Sequence, residues 1–348
     1  MRVVVIGATG NAGTSVLRSL RRADEVDEIV GVARRRPDAE LSKVRWETAD
    51  IVSGNLEPVF DGADVVVHLA WAIQPSRDSE TLRAINVTGS RRVFEAVERT
   101  GVRSLVYASS VGAYSPGPKD RRVGEEWPVN GISTSFYSRH KAEVESLLDE
   151  MEARSPWTRV VRLRPGIILK AGASCGIRRL FMGPLMPTSL VKPGRIPILP
   201  NLKGTRTQFV HSHDVGDAYR LAVLGDVRGA FNVAAEPDMG FEDIARLLGA
   251  RPVPVPKPLV RRAADLSWRM RLQPSPVGWV DMAVQSPLMD ITRAHQELGW
   301  NPEHSAEDTL LDFVYGLNRS ADLPTPPLAR DTGGPFRVRE FLTGIGAR

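Results

Sequence analysis

Only one cysteine, Cys175, occurs among 348 residues, so the chain cannot form an internal disulfide. A lone thiol fits a reducing compartment. Long hydrophobic runs are missing too. The most apolar stretch, Val65 to Ile73, contains a histidine and falls far short of the roughly 20 residues a membrane-spanning helix needs. The N-terminus reads Arg-Val-Val-Val-Ile-Gly, with no basic segment leading into an apolar core and a small-residue cleavage site. The expectation is a soluble, cytoplasmic protein with no membrane partner. No segment repeats at a fixed period. Concentrated basic charge is also lacking. Lys and Arg outnumber Asp and Glu by 46 to 41, yet the two signs interleave throughout, and the longest basic run is Arg34-Arg35-Arg36. So diffuse a balance describes a solvated surface, and nucleic acid is not an expected partner.

What the chain does have is a globular composition, 42% hydrophobic and 25% charged, in a length that suits one large domain or two ordinary ones. Over the first 170 residues, short β-branched runs alternate with amphipathic stretches. Strands are expected at Val3–Ile6, Glu28–Ala33, Val44–Thr48, Ala63–Leu69, Ser104–Ala108 and Arg159–Leu163. Helices are expected at Ala12–Arg22, Ser79–Thr100 and Ser135–Ala153. The Val-Val-Val centre of the fourth strand is apolar throughout, as a strand covered on both faces must be. This alternation predicts an α/β fold, a Rossmann-type doubly wound parallel sheet.

After Leu169 proline and glycine become frequent. Residues 171–320 are expected to form most of a smaller substrate-side domain, with returns to the sheet near 207–235 and 283–296. Helical patterns recur at Phe241–Leu248, Leu259–Met270, Thr292–Leu298 and Glu307–Leu317. The run from Arg251 to Pro258 reads as neither helix nor central strand. Residues 321–348 read as a loosely attached, Pro/Gly-rich tail.

The first strand leads into Gly7-Ala8-Thr9-Gly10-Asn11-Ala12-Gly13 and then a helix. Gly7 permits a tight turn, Gly10 leaves the backbone bare for a pyrophosphate, and Gly13 lets the helix pack closely on the strand. The helix N-terminus offers free N–H groups to the anion. A carboxylate ending the second strand would favour NAD. Here Ala33 is followed by Arg34, Arg35 and Arg36, and a guanidinium fork suits a phosphate, so this end points to NADP(H) over NAD(H).

Ser109-Ser110 closes the fifth strand, and Tyr137-Ser-Arg-His-Lys141 opens the next helix. A spacing of four residues puts phenol and ammonium on one helix face. The ammonium stabilises a tyrosinate, so Tyr137 can act as acid or base near neutral pH, with Ser110 holding the substrate oxygen and Lys141 within reach of the ribose.

With these residues in place, the chain resembles the extended short-chain dehydrogenase/reductases, the NAD-dependent epimerase/dehydratase family. Gly7 to Gly13, with Thr9, Asn11 and Ala12, is similar to its dinucleotide loop. Asp50-Ile51 resembles its adenine-contacting pair, His68-Leu69-Ala70-Trp71 its H-L-A-A segment, and Asn86-Val87-Thr88-Gly89 its N-V-x-G helix. Tyr107-Ala-Ser109-Ser110 is similar to the catalytic serine segment, Tyr137 with Lys141 to the Y-x-x-x-K pair, and Arg164-Pro165-Gly166 to the strand end beside the nicotinamide. Phe209 to Val215, Phe231-Asn232-Val233 and Asp290 to Pro302 continue the pattern. The resemblance implies that Ser110, Tyr137 and Lys141 are catalytic. It implies that Arg34, Arg35, Leu69, Ala70, Trp71, Asn86, Ser109, Pro165 and Gly166 line the cofactor with the loop and Asp50-Ile51. It also implies a homodimer packed through the Tyr137 helix and the long helix before it.

The chain departs from the family at Arg206. Sugar-nucleotide members carry an Arg for the substrate diphosphate one place nearer the Phe209 segment, which sets a nucleotide-sugar substrate in doubt. Ser110 is followed by Val-Gly rather than Asp-Glu, unlike the 4,6-dehydratases. His211, His213 and Asp214 lack a fourth ligand, so no metal is expected. Trp279 is the tryptophan that could line a substrate pocket. The expected activity is oxidoreduction of a small carbonyl compound or alcohol. Two alternatives stay open, an epimerase retaining its cofactor and a non-enzymatic dinucleotide-sensing regulator.

Overall fold

Alternation along the first strand sets the layers. In β1 (Arg2–Ile6), Val3 and Val5 point to one face and Val4 and Ile6 to the other, and all four are fully buried. Only a strand covered on both sides needs that pattern. The computed structural model describes residues 1–183, 188 and 191–333, so the part of the expected tail beyond 333 lies outside the described residues. β1 pairs with β2 (Glu28–Ala33) and, on its other edge, with β4 (Val65–His68). β3 (Val44–Thr48) extends the first side, and β5 (Ser104–Ala108), β6 (Arg159–Pro165) and β7 (Gly229–Val233) extend the second. All seven strands are parallel, in the order β7-β6-β5-β4-β1-β2-β3. This is a Rossmann-type doubly wound sheet.

One face carries Val3, Val5, Val67 and Leu163 against Val16, Leu17 and Leu20 of α1 (Asn11–Leu20). The other carries Val4, Ile6, Val66 and Val160 against Val93, Phe94 and Val97 of α2 (Gly89–Thr100) and Val144, Leu148 and Met151 of α3 (Phe136–Arg154). The first face is completed by Val215, Tyr219 and Val223 of α4 (Ser212–Leu224), a helix supplied by the second half of the chain.

Two sequence expectations need correction. The helix expected over Ser79–Thr100 is broken by a wide π turn at Ala84–Thr88. Within that turn Asn86 exchanges two hydrogen bonds with the Ala72 backbone, at 2.7 and 2.8 Å, a tertiary contact that hydrophobic periodicity cannot reveal. The proline run forms no central strand, as expected, but its last two residues open a helix. Arg251–Pro254 pairs with Ile198–Asn201 in a two-stranded ribbon, where one edge needs no N–H, and a helix begins at Lys257 with Pro258 in its first turn. Proline is tolerated in both places.

Residues 321–333 are docked onto the body rather than loosely attached. The Thr325 hydroxyl donates to the Thr9 carbonyl at 2.9 Å, Leu328 is buried, and Arg179 donates to the Ala329 carbonyl at 2.7 Å.

Candidate active site

The strands end together on one side of the sheet, and the residues singled out from the sequence gather there. Gly7 has φ +83°, and a Cβ on it would stand 2.8 Å from the Ala70 nitrogen. At Gly13 a Cβ would stand 2.3 Å from the Gly7 carbonyl oxygen, so both positions demand glycine for packing. Gly10 differs. Among the described residues its only close neighbour would be the Gly7 oxygen at 3.4 Å. Gly10, the N-cap of α1, offers no side chain to cap that helix. That bare, donor-rich turn fits a pyrophosphate.

Around the loop, Asn11 donates to the Ile168 carbonyl at 3.1 Å, and its own side-chain oxygen is buried without a partner among the described residues. Asp50 accepts from the Val52 N–H at 2.8 Å, and Ile51 is buried under Gly89. Asn86 fixes the backbone after Leu69, Ala70 and Trp71. Arg34, Arg35 and Arg36 are exposed to solvent beyond β2.

Ser110 caps a short turn, accepting from the Gly112 N–H at 3.0 Å, and that turn lies against the Tyr137 ring, where a Gly112 Cβ would sit 2.9 Å from Cε1. Burial pushes the Tyr137 phenol up, and its hydrogen bond with Ser110 pulls it part of the way back. Lys141 lies one turn along α3. Its Nζ donates to the Ala108 carbonyl at 2.6 Å and stands 3.5 Å from the centre of the Trp71 ring, with the Tyr137 ring centre 5.9 Å away. Burial lowers the Lys141 ammonium well below its ordinary value, against a smaller opposing pull from Glu145. The spacing thus brings Tyr and Lys to one helix face, with the Trp71 indole laid over the ammonium.

Two residues expected at the cofactor have other partners in this structure. The Ser109 hydroxyl donates to buried Glu145. Gly166 makes room for a neighbouring segment, since a Cβ there would stand 2.5 Å from the Gln208 carbonyl oxygen, while Pro165 is buried at the end of β6.

Sequence reasoning missed the support beneath the pair. Glu145, one turn beyond Lys141, holds Arg164 through two bonds of 2.8 and 2.9 Å and Arg162 at 3.1 Å. Arg164 also reaches the Tyr114 hydroxyl at 3.0 Å, which donates to Asn232 at 2.7 Å. Burial alone would raise Glu145, but the two guanidiniums and Ser109 hold it down at about 2. The available signal was the i, i+4 step from Lys141 to Glu145. Lys170 was missed as well. It is buried under the start of α1 with bonds to Asn11, Thr14 and Ser15, and burial pulls it to about 7.

A second polar cluster lies away from Tyr137. His304, not foreseen, joins His211 and Asp214, where no metal was expected, with possible ligand atoms within 4.8 Å of one another. His304 Nδ1 is 3.0 Å from Asp214, and the His211 and His304 rings are stacked 3.9 Å apart. Nitrogen lone pairs lie in the ring planes, so stacked rings do not aim them at one point. Arg206, the displaced arginine, is tied to Asp238 and to Asp243.

A model of the NAD dependent epimerase/dehydratase family matches residues 3–234. An uncharacterized protein of Mycobacterium tuberculosis is 28% identical over 320 residues, and the match covers 91% of this chain but only 30% of that protein's length. A putative dihydroflavonol 4-reductase of Synechocystis is 24% identical over 335 residues, covering 89% of this chain and 93% of the relative. Among solved structures, the UDP-glucose 4-epimerase of Thermus thermophilus in complex with NAD has a TM-score of 0.67 at 21% identity, covering 91% of this chain and 99% of that one. Several solved neighbours hold NAD, this one among them. That overturns the expectation of NADP(H). The arginines that prompted it form an exposed run, which is the ordinary behaviour of a solvated loop.

Proposed function

The chain belongs to the NAD dependent epimerase/dehydratase family, and from that membership and the site's geometry we propose that it is an NAD(H)-dependent oxidoreductase acting on a carbonyl or alcohol carbon. The observation that carries the reading is the gathering of Ser110, Tyr137 and Lys141 at the strand ends, on the same side as the bare turn at Gly10. Gly7 to Gly13 would hold the pyrophosphate, Asp50 and Ile51 the adenine end, and Leu69, Ala70, Trp71 and Asn86 the stretch between. Nicotinamide, when bound, supplies or accepts the hydride.

The protein's own groups manage the proton. Tyr137 gives its hydroxyl proton to the substrate oxygen in reduction and recovers it in oxidation, while Ser110 steadies that oxygen. Burial penalises the charged form of both Tyr137 and Lys141. A tyrosinate and an ammonium brought together offset each other's penalty, so the pair can hold a charge separation that neither holds alone.

The Synechocystis relative's description supports the reductase reading. Tyr137→Phe is expected to lower kcat by about 10²–10⁴-fold with the Kd for NADH unchanged. Full activity in that variant would contradict the mechanism. An epimerase would instead interconvert its substrate with no net change in added NADH.

A further inference from the structure

Two aromatic side chains, Trp71 and Trp279, meet the Tyr137 ring, and two more, Phe136 and Phe181, extend the group through Trp279. The Trp279 indole lies 4.9 Å from the phenol ring, centre to centre, tilted by 42°. Phe181 meets Trp279 edge-on at 4.8 Å and Phe136 meets it at 6.4 Å, while Trp71 meets Tyr137 edge-on at 5.8 Å. Rings at these distances make an apolar wall beside the phenol. The wall also carries polar handles. Among the described residues, the indole N–H groups of Trp71 and Trp279 are both buried without a partner. Buried donors are nearly always satisfied in folded proteins, so an unmatched pair flanking a candidate proton donor points to an acceptor supplied by a ligand.

Two cations that could meet a diphosphate, Arg206 and Lys141, are engaged within the protein. Arg206 is held by Asp238 and Asp243, and Lys141 is held by Ala108 and covered by Trp71. A diphosphate brought against aromatic rings without a counter-charge is strongly disfavoured. A flat, weakly polar ring system is favoured by the same rings.

Resting on the oxidoreductase reading above, we propose that this site takes aryl carbonyl compounds and their alcohols, with the aryl body against Trp279 and Trp71, and does not take sugar nucleotides. A substrate ring takes the place the Trp279 indole now fills on Tyr137.

The test titrates the full chain with 1-tetralone and with UDP-glucose, reading intrinsic tryptophan fluorescence, with and without NADH. Saturable quenching by tetralone is expected, weakened about tenfold in Trp279→Ala and only severalfold in Trp279→Phe, which keeps a ring and loses the N–H. UDP-glucose should neither quench nor displace tetralone. Should UDP-glucose bind more tightly than tetralone, or tetralone binding ignore both Trp279 variants, the substrate class is wrong. Trp279-dependent tetralone binding with no NADH consumed would sustain the aryl site and overturn the oxidoreductase reading instead.

Discussion

Glu145 is buried one helical turn from Lys141 and bound to two arginines, and its proton equilibrium ties it to stability. Its carboxyl is held down at about 2 in the folded protein, against an ordinary value of 4.5. A depressed carboxylate stabilises the fold in full above its unfolded value, and that contribution fades as pH falls toward the folded one. The predicted loss therefore lies between about pH 4.5 and 2. Glu145→Gln should cost about 3–5 kcal/mol at neutral pH by leaving Arg162 and Arg164 short of a counter-charge. It should also flatten the acid limb of a denaturation curve measured across that window. An acid limb unchanged from wild type would assign the stability to other carboxylates. Tyr137 and Lys141 were legible because spacing on a helix is a local property. Glu145 was not, since its partners Arg162 and Arg164 sit on a strand and only folding brings them together.

At the scale of elements, the glycines of the first turn separate packing from binding. Gly13→Ala forces a Cβ against the Gly7 carbonyl and should destabilise the fold by about 1–3 kcal/mol, read as a lower Tm. A Cβ at Gly10 would meet little of the described protein, so in Gly10→Val Tm should hold while NADH affinity drops by at least about tenfold. Equal loss of Tm in both variants would mean that Gly10 is there for the fold. The strands were readable almost to the residue, β2, β3 and β5 among them, because buried β-branched runs carry a strong local signal. Elements shaped by partners were not readable. The π turn at Ala84–Thr88 answers to Ala72, and the Arg251–Pro254 ribbon exists only because Ile198–Asn201 lies beside it.

For the whole molecule, the notable contact is between the two ends of the chain. Thr325 bonds the carbonyl of Thr9 inside the dinucleotide loop, 316 residues away in sequence. Thr325→Val removes one buried hydrogen bond and should cost about 1 kcal/mol of stability, with a parallel loss of NADH affinity as the loop loosens. Unchanged affinity would separate the docked segment from the loop's function. Composition gave no hint of this docking, since a Pro- and Gly-rich stretch looks alike whether packed or free. The Arg34–Arg36 run misled for a related reason, because a charge pattern does not say whether a phosphate stands before it. The measurement that tests the account most directly is calorimetric titration of the purified chain with NADH and NADPH, repeated in Gly10→Val. The account predicts tighter binding of NADH, lost in the variant. Tighter NADPH binding that persists in Gly10→Val and collapses in Arg34→Ala/Arg35→Ala would contradict it.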